Sequence, residues 1–138
     1  MWLILAILGA FFAALTSIFA KLGIQGINSD LAVAIRTLVV LAFSWAIVFT
    51  TGRLAGLSEL TQRNWVFLVL SGLATGLSWL FSYRALQIGQ VSRVIPVDRL
   101  SLVLTLILAF LVLGEPPSPK ALAGGGFIVI GVILIALA

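Results

Sequence analysis

Apolar residues run through this chain in long blocks, and the polar positions that interrupt them fall at fairly regular intervals. Five blocks, 2–20, 31–49, 65–83, 96–113 and 121–138, each approach the ~20 apolar residues that a helix needs to cross the hydrocarbon core of a bilayer. Strands are excluded for such blocks, because an open sheet in lipid leaves backbone groups without partners. The pattern predicts an all-α, polytopic membrane protein with five transmembrane helices in one domain spanning 1–138. The punctuation agrees with it. "GINSD" offers Asn28, Ser29 and Asp30 as N-caps for the second span, and Gly89 is a natural C-cap for the third. "GEPPSPK" closes the fourth span and opens the fifth, with Ser118 as N-cap and Pro119 at the first helical position. Trp2, Trp45, Trp65 and Tyr83 fall towards span ends, as interfacial aromatic residues do.

Composition narrows the chemistry. Charged residues make up 9% of the chain and mean hydropathy is +1.29, against about 25% charged residues in a soluble domain. Cysteine and histidine are both missing. Disulfides, thiol nucleophiles, the usual zinc ligands and imidazole acid–base chemistry are therefore unavailable, and no metal or cofactor is expected. The net charge of +4 is scattered, without a basic run of the kind that grips nucleic acid. The first block lacks a basic stretch ahead of it and is long for a signal-peptide core, so it is expected to be a retained helix.

Positive charge in such a chain reports orientation first. An odd number of spans places the connections in two sets. One side carries Lys21, Arg84 and Arg93, and the other Arg53, Arg63 and Lys120, a tie of three to three. Counting Arg36 and Arg99, just inside spans that start from the first side, makes it five to three. Small counts tie by chance. A tie also fits dual topology, in which two copies insert in opposite senses and pair, as inverted repeats do in many transporters. Charge alone leaves both open.

Inside the spans, Ser71, Thr75, Ser78 and Ser82 follow one helical face of the third, beside Gly72, Gly76, Trp79 and Tyr83. Gly72 and Gly76 fit a packing face. Ser78, Trp79, Ser82 and Tyr83 fit a cavity wall at least as well, because two hydrogen-bonding aromatics sit beside two hydroxyls. The first span repeats the theme with Gly9, Ala13, Thr16 and Ala20. The fifth has Gly124 and Gly131 seven apart with no polar side chain nearby, which fits a helix–helix seam between two copies.

The densest charge lies in "YRALQIGQVSRVIPVDRLS". Pro96 is expected to open the fourth span, which would put Asp98 in its first turn as a dipole-favoured acid. Arg93 and Arg99 read as snorkelling residues. Arg36 is different. It lies about six residues inside the second span, roughly 9 Å down, where an ionisable group normally faces the bundle interior and pairs. Asp98 is the first expected partner and Asp30 the second.

"AALTSIFAKLGIQGINSDLAVAIRTLVVL" together with "YRALQIGQVSRVIPVDRLSLVLTLILAFLVLGE" resembles the EamA-type domain of the drug/metabolite transporter superfamily, in its half-length, five-span form. The resemblance covers essentially the whole chain and marks Lys21, Arg36, Arg84, Asp98, Arg99 and Glu115 as motif positions. It implies secondary transport, usually export, of small metabolites or drugs across the cytoplasmic (inner) membrane of a bacterium or archaeon. Full-length relatives have two inverted five-span halves, so a lone half is expected to form an antiparallel homodimer. The four-span small multidrug resistance relatives use a glutamate in their first helix. The block 2–20 contains no acid, so their coupling mechanism does not carry over.

The expected partners are thus the lipid bilayer, a small-molecule substrate and a second copy. Substrate-cavity candidates are Thr16, Arg36, Ser78, Trp79, Ser82 and Tyr83; ion-pair or coupling candidates are Arg36, Asp98, Arg99, Lys21 and Arg84. The alternative is an accessory five-span subunit that works only in assembly with another membrane protein. An enzyme is disfavoured, because neither paired carboxylates nor a nucleophile–base set can be named. No "GxxxxGK" phosphate loop is present.

Overall fold

The computed structural model describes residues 1–116 and 118–138. Pro117, within the expected connection between the fourth and fifth spans, lies outside the described residues. The described chain is all-helical: α1 (Trp2–Gly23), α2 (Ser29–Thr50), a 3-10 turn (Arg53–Glu59), α3 (Gln62–Ile88), α4 (Val91–Asp98), α5 (Ser101–Leu113) and α6 (Pro119–Leu137). Five stretches are long and apolar enough to cross a bilayer: Trp2–Gly23, Ser29–Thr50, Gln62–Ile88, Val91–Leu113 and Pro119–Leu137. Most run past the apolar blocks, because backbone hydrogen bonding continues into the flanking residues.

The chain forms two compact units, Ala20–Gln87 and a second made of Met1–Phe19 with Ile88–Ala138. In the first, the turn between α1 and α2 bends at Gly26, whose φ of 77° suits a residue without Cβ. Asn28 then caps α2, its side chain accepting from the Asp30 N–H at 2.7 Å. Buried residues of this unit gather at the same end of its helices: Ala20, Ile24, Ser29, Ala32, Val33, Tyr83 and Leu86. At the opposite end, the 3-10 turn leans on α2 and leaves an apolar cleft of ≈ 260 Å³ between Trp45, Val48, Leu57 and Leu60.

In the second unit α6 begins as its sequence suggests, with extended Ser118 before it and Pro119 in its first turn. Its packed stripe contains buried Gly125 and Val132 with half-buried Ile128 and Val129 between them. That is the i, i+3, i+4, i+7 spacing of one helical face. A Cβ on Gly125 would lie 3.4 Å from Leu106 Cδ1 of α5. Gly124 is exposed and Gly131 half-buried, and a Cβ on either would meet nothing within 4 Å. At 3.6 residues per turn both lie about 100° round from the packed stripe.

The fourth span departs from expectation. It begins at Val91, with extended Gln90 before it, so Pro96 sits inside α4 and does not open it. Asp98 is the last residue of α4, not part of its first turn. Proline has no N–H to offer the Ser92 carbonyl one turn back, and its ring crowds that carbonyl. The helix persists only two residues further. Arg99 N–H then bonds the Ile95 and Pro96 carbonyls at 3.2 and 3.1 Å, and Leu100 N–H bonds Val97 at 3.0 Å. The bonds to Pro96 and Val97 are i→i−3 and tighten the chain before α5 resumes at Ser101.

Candidate functional site

The unit formed by Ala20–Gln87 is tied across its helices at one end. Lys21 Nζ donates to the Leu86 carbonyl, and Gln87 Nε2 donates to the Ile27 carbonyl at 2.7 Å. Asp30 accepts both Nε and Nη2 of Arg84, at 3.0 and 2.9 Å. This is the planar, two-pronged geometry that arginine gives with a carboxylate. Asp30 is therefore a cross-helix partner, and the cap that it was expected to share falls to Asn28.

The Ile27–Gln87 and Asp30–Arg84 ties fix an antiparallel register between α2 and α3. In that register residue 36 lies opposite residue 78. Arg36, seven residues beyond Ser29 and so about 10 Å along α2, meets α3 there. Its guanidinium carbon lies 4.2 Å from the Trp79 ring centroid and 5.5 Å from that of Tyr83. One Nη donates to the Tyr83 hydroxyl at 3.2 Å. Tyr83 is buried, Trp79 and Ser82 half-buried, Arg36 partly exposed and Ser78 exposed. Of the six substrate-cavity candidates, Arg36, Ser78, Trp79, Ser82 and Tyr83 thus lie in one unit on two facing helices, and Thr16 does not.

Two contacts decide how Arg36 is held. Its register partner is the Trp79 level, one turn deeper than Tyr83, and the guanidinium is nearer to Trp79. A snorkelling arginine would bend the other way, towards the Asp30–Arg84 end. Within this unit its partners are a hydroxyl and an indole face, while both oxygens of Asp30 engage Arg84. An arginine of similar depth stacked on tryptophan gains cation–π attraction of ~2 kcal/mol when desolvated.

The remaining candidates fall elsewhere. Thr16 belongs to the other unit and bonds back to the Phe12 carbonyl of its own helix at 2.8 Å. Asp98 and Arg99 also lie in that unit, at the break between α4 and α5, so the pairing expected of Asp98 with Arg36 joins residues of different units. Glu115 follows the left-handed Gly114 that ends α5, and it borders a cleft of ≈ 220 Å³ with Leu106, Phe110 and Leu122. Gly124 and Gly131 flank the packed stripe of α6. Sequence reasoning missed Gln87 as a cross-tie. It also missed the Arg36–Trp79 stack, although residues at matching depths on antiparallel helices were the available signal.

Five helices long and apolar enough to cross a bilayer, with an arginine, a tryptophan and a tyrosine gathered along two of them, describe a multi-pass membrane protein. The sequence matches the EamA-like transporter family over residues 1–137, and the chain belongs to that family. It is 48% identical over 136 residues to a Sinorhizobium sp protein described as "Uncharacterized transporter in cobO 3'region", covering 99% of this chain and 96% of that one. No solved structure matches it. Family and relative point to transport rather than catalysis.

Proposed function

We propose that the protein is a secondary transporter that exports small metabolites or drugs across the cytoplasmic membrane of a bacterium or archaeon, by alternating access within an antiparallel homodimer. The observation that carries this reading is the polar wall on α3. Ser78 is exposed and Trp79 and Ser82 are half-buried beside Arg36, in spans whose most apolar windows are at most 11% buried. Polar groups at such depth are costly against lipid and normally face a protein interior or a water-filled cavity. A second copy supplies the missing enclosure, and an inverted one supplies the repeat interface at which transporter sites form.

Two further features support the inverted arrangement. Lys21, Arg84 and Arg93 balance Arg53, Arg63 and Lys120 across the two sides, so orientation is weakly biased. The glycines Gly124 and Gly131 stand off the face that α6 uses within its own unit, leaving a flank on which a second α6 can approach closely. Arg36, Lys21, Arg84, Asp98 and Arg99 are then the charges available for ion pairing or ion coupling.

The test is flux in liposomes holding only the purified protein, screened over amino acids, organic anions and cationic drugs. Uptake or efflux of one class, abolished by Tyr83→Ala with the protein still folded, is the expected result. Transport that appears only when a second membrane protein is added would replace this reading with that of an accessory subunit.

A further inference from the structure

Arg36 has more hydrogen-bonding capacity than its own unit uses. A guanidinium carries five N–H donors in a planar fork. One Nη is bonded to the Tyr83 hydroxyl, and the face of the fork lies on the Trp79 indole. Stacking consumes the face and leaves the edge, which is where a carboxylate binds coplanarly through two parallel hydrogen bonds. Asp30, the carboxylate nearly two turns earlier on α2, cannot serve while both its oxygens hold Arg84. Arg36 is partly exposed at a depth of about 10 Å along α2, where lipid is the wrong neighbour for a charge. One turn further along the same face of α2, Val39 and Val40 are both exposed. A charged edge is thus set above an apolar floor, with aromatic and hydroxyl groups at its side.

From this we infer that Arg36, held on Trp79 and tethered by Tyr83, is the carboxylate receptor for the substrate, and that the substrate is a small amphipathic organic acid. The anionic end meets the guanidinium edge and the apolar body lies towards Val39 and Val40. Trp79 and Tyr83 are positioning residues for the guanidinium. The inference rests on the transport reading for its biological sense, but binding itself is measurable without flux.

The experiment uses the full-length protein in phosphatidylcholine nanodiscs, with calorimetric titration of phenylacetate, indole-3-acetate and octanoate. Each acid is paired with its neutral amide, and phenethylamine serves as the cationic counterpart of phenylacetate. Expected is tighter binding of at least one acid than of its amide by about 10- to 100-fold, the range for a hydrogen bond to a charged group. Arg36→Gln should erase that preference, and Arg36→Lys, which keeps charge but not the fork, should retain part of it. Both variants are compared at equal dimer content by size exclusion, so misfolding is seen separately. Equal affinity for acids and amides, or preference for phenethylamine, overturns the inference. So does acid binding that emerges only after Asp98→Asn, since the protein's own carboxylate would then be the occupant. Displacement of the acid by phosphatidylglycerol in the nanodisc would identify a lipid phosphate as the ligand and also overturn it. In the parallel liposome assay, flux of phenethylamine alone leaves the transport reading standing and sinks the acid assignment. Acid binding without flux of any probe does the reverse.

Discussion

Three consecutive glycines, Gly124 to Gly126, allow a direct test of which flank of α6 serves the protomer and which serves a partner. Gly125 is buried, and a Cβ there would sit 3.4 Å from Leu106 Cδ1, an ordinary contact distance. Gly125→Ala should therefore be tolerated, with up to ~1 kcal/mol of helix propensity in its favour. Gly125→Leu sends three more carbons towards a leucine already in contact. Overpacking of that kind costs about 1–3 kcal/mol, or about 5- to 150-fold in the folding equilibrium. Gly131→Leu meets nothing within 4 Å of its Cβ in the protomer, so protomer stability should not fall and should gain up to ~1 kcal/mol of the same helix propensity. It should instead weaken self-association, because a glycine that permits close approach between helices has been filled. Two assays separate the effects: sodium dodecyl sulfate titration in mild detergent for folding, and energy transfer between differently labelled protomers in liposomes for pairing. Loss of folding by Gly131→Leu equal to that of Gly125→Leu, with pairing intact, would refute the assignment of faces.

Reversing the Asp30–Arg84 pair offers a second test: Asp30→Arg and Arg84→Asp should each lower folded yield, and the double variant should recover most of it, read by fluorescence size exclusion. Pro96→Ala should restore an N–H for the Ser92 carbonyl and remove a proline whose presence in a helix interior costs ~3 kcal/mol. The stretch 96–101 should then become slower to exchange backbone hydrogens; unchanged exchange would show that the break is set elsewhere. Two lysines added between α2 and α3 should force one orientation and depress transport, with recovery when an oppositely biased copy is co-expressed. Full transport by the single-orientation variant alone would rule out the inverted pair.

The five spans were legible because hydropathy in blocks of this length has few other physical solutions. The starts of α2 and α6 were legible for a similar reason, since helix starts depend on local chemistry: Asn28 caps α2 from among the three polar residues offered, and Ser118–Pro119 opens α6, although the Ser118 side chain makes no capping bond. The break at Arg99–Leu100 was not. Charged and polar residues ahead of Pro96 resemble a loop, and proline most often opens a helix, so the helical turn from Val91 was hidden. The wall on α3 followed from periodicity within one helix, whereas the seat of Arg36 depends on register between two. Nothing in a single sequence fixes how far one helix slides along another. The glycine run shows the same limit at its smallest scale, because a step of one residue turns the side-chain direction by about 100°.

The ties at the end of the first unit differ in what they ask of heredity. Lys21 and Gln87 bond main-chain oxygens, of Leu86 and Ile27. An acceptor that belongs to the backbone survives any substitution of its residue that keeps the local main-chain path. The bonds therefore leave the side chains at 27 and 86 free to drift among descendants of this chain, Leu86 within the apolar volume that its burial sets, while 21 and 87 must keep a long donor. Asp30 and Arg84 are bound by side chains at both ends, so neither can change alone without stranding the other. Among relatives, 30 and 84 should change together, and 21 with 86 or 27 with 87 should show no such correlation.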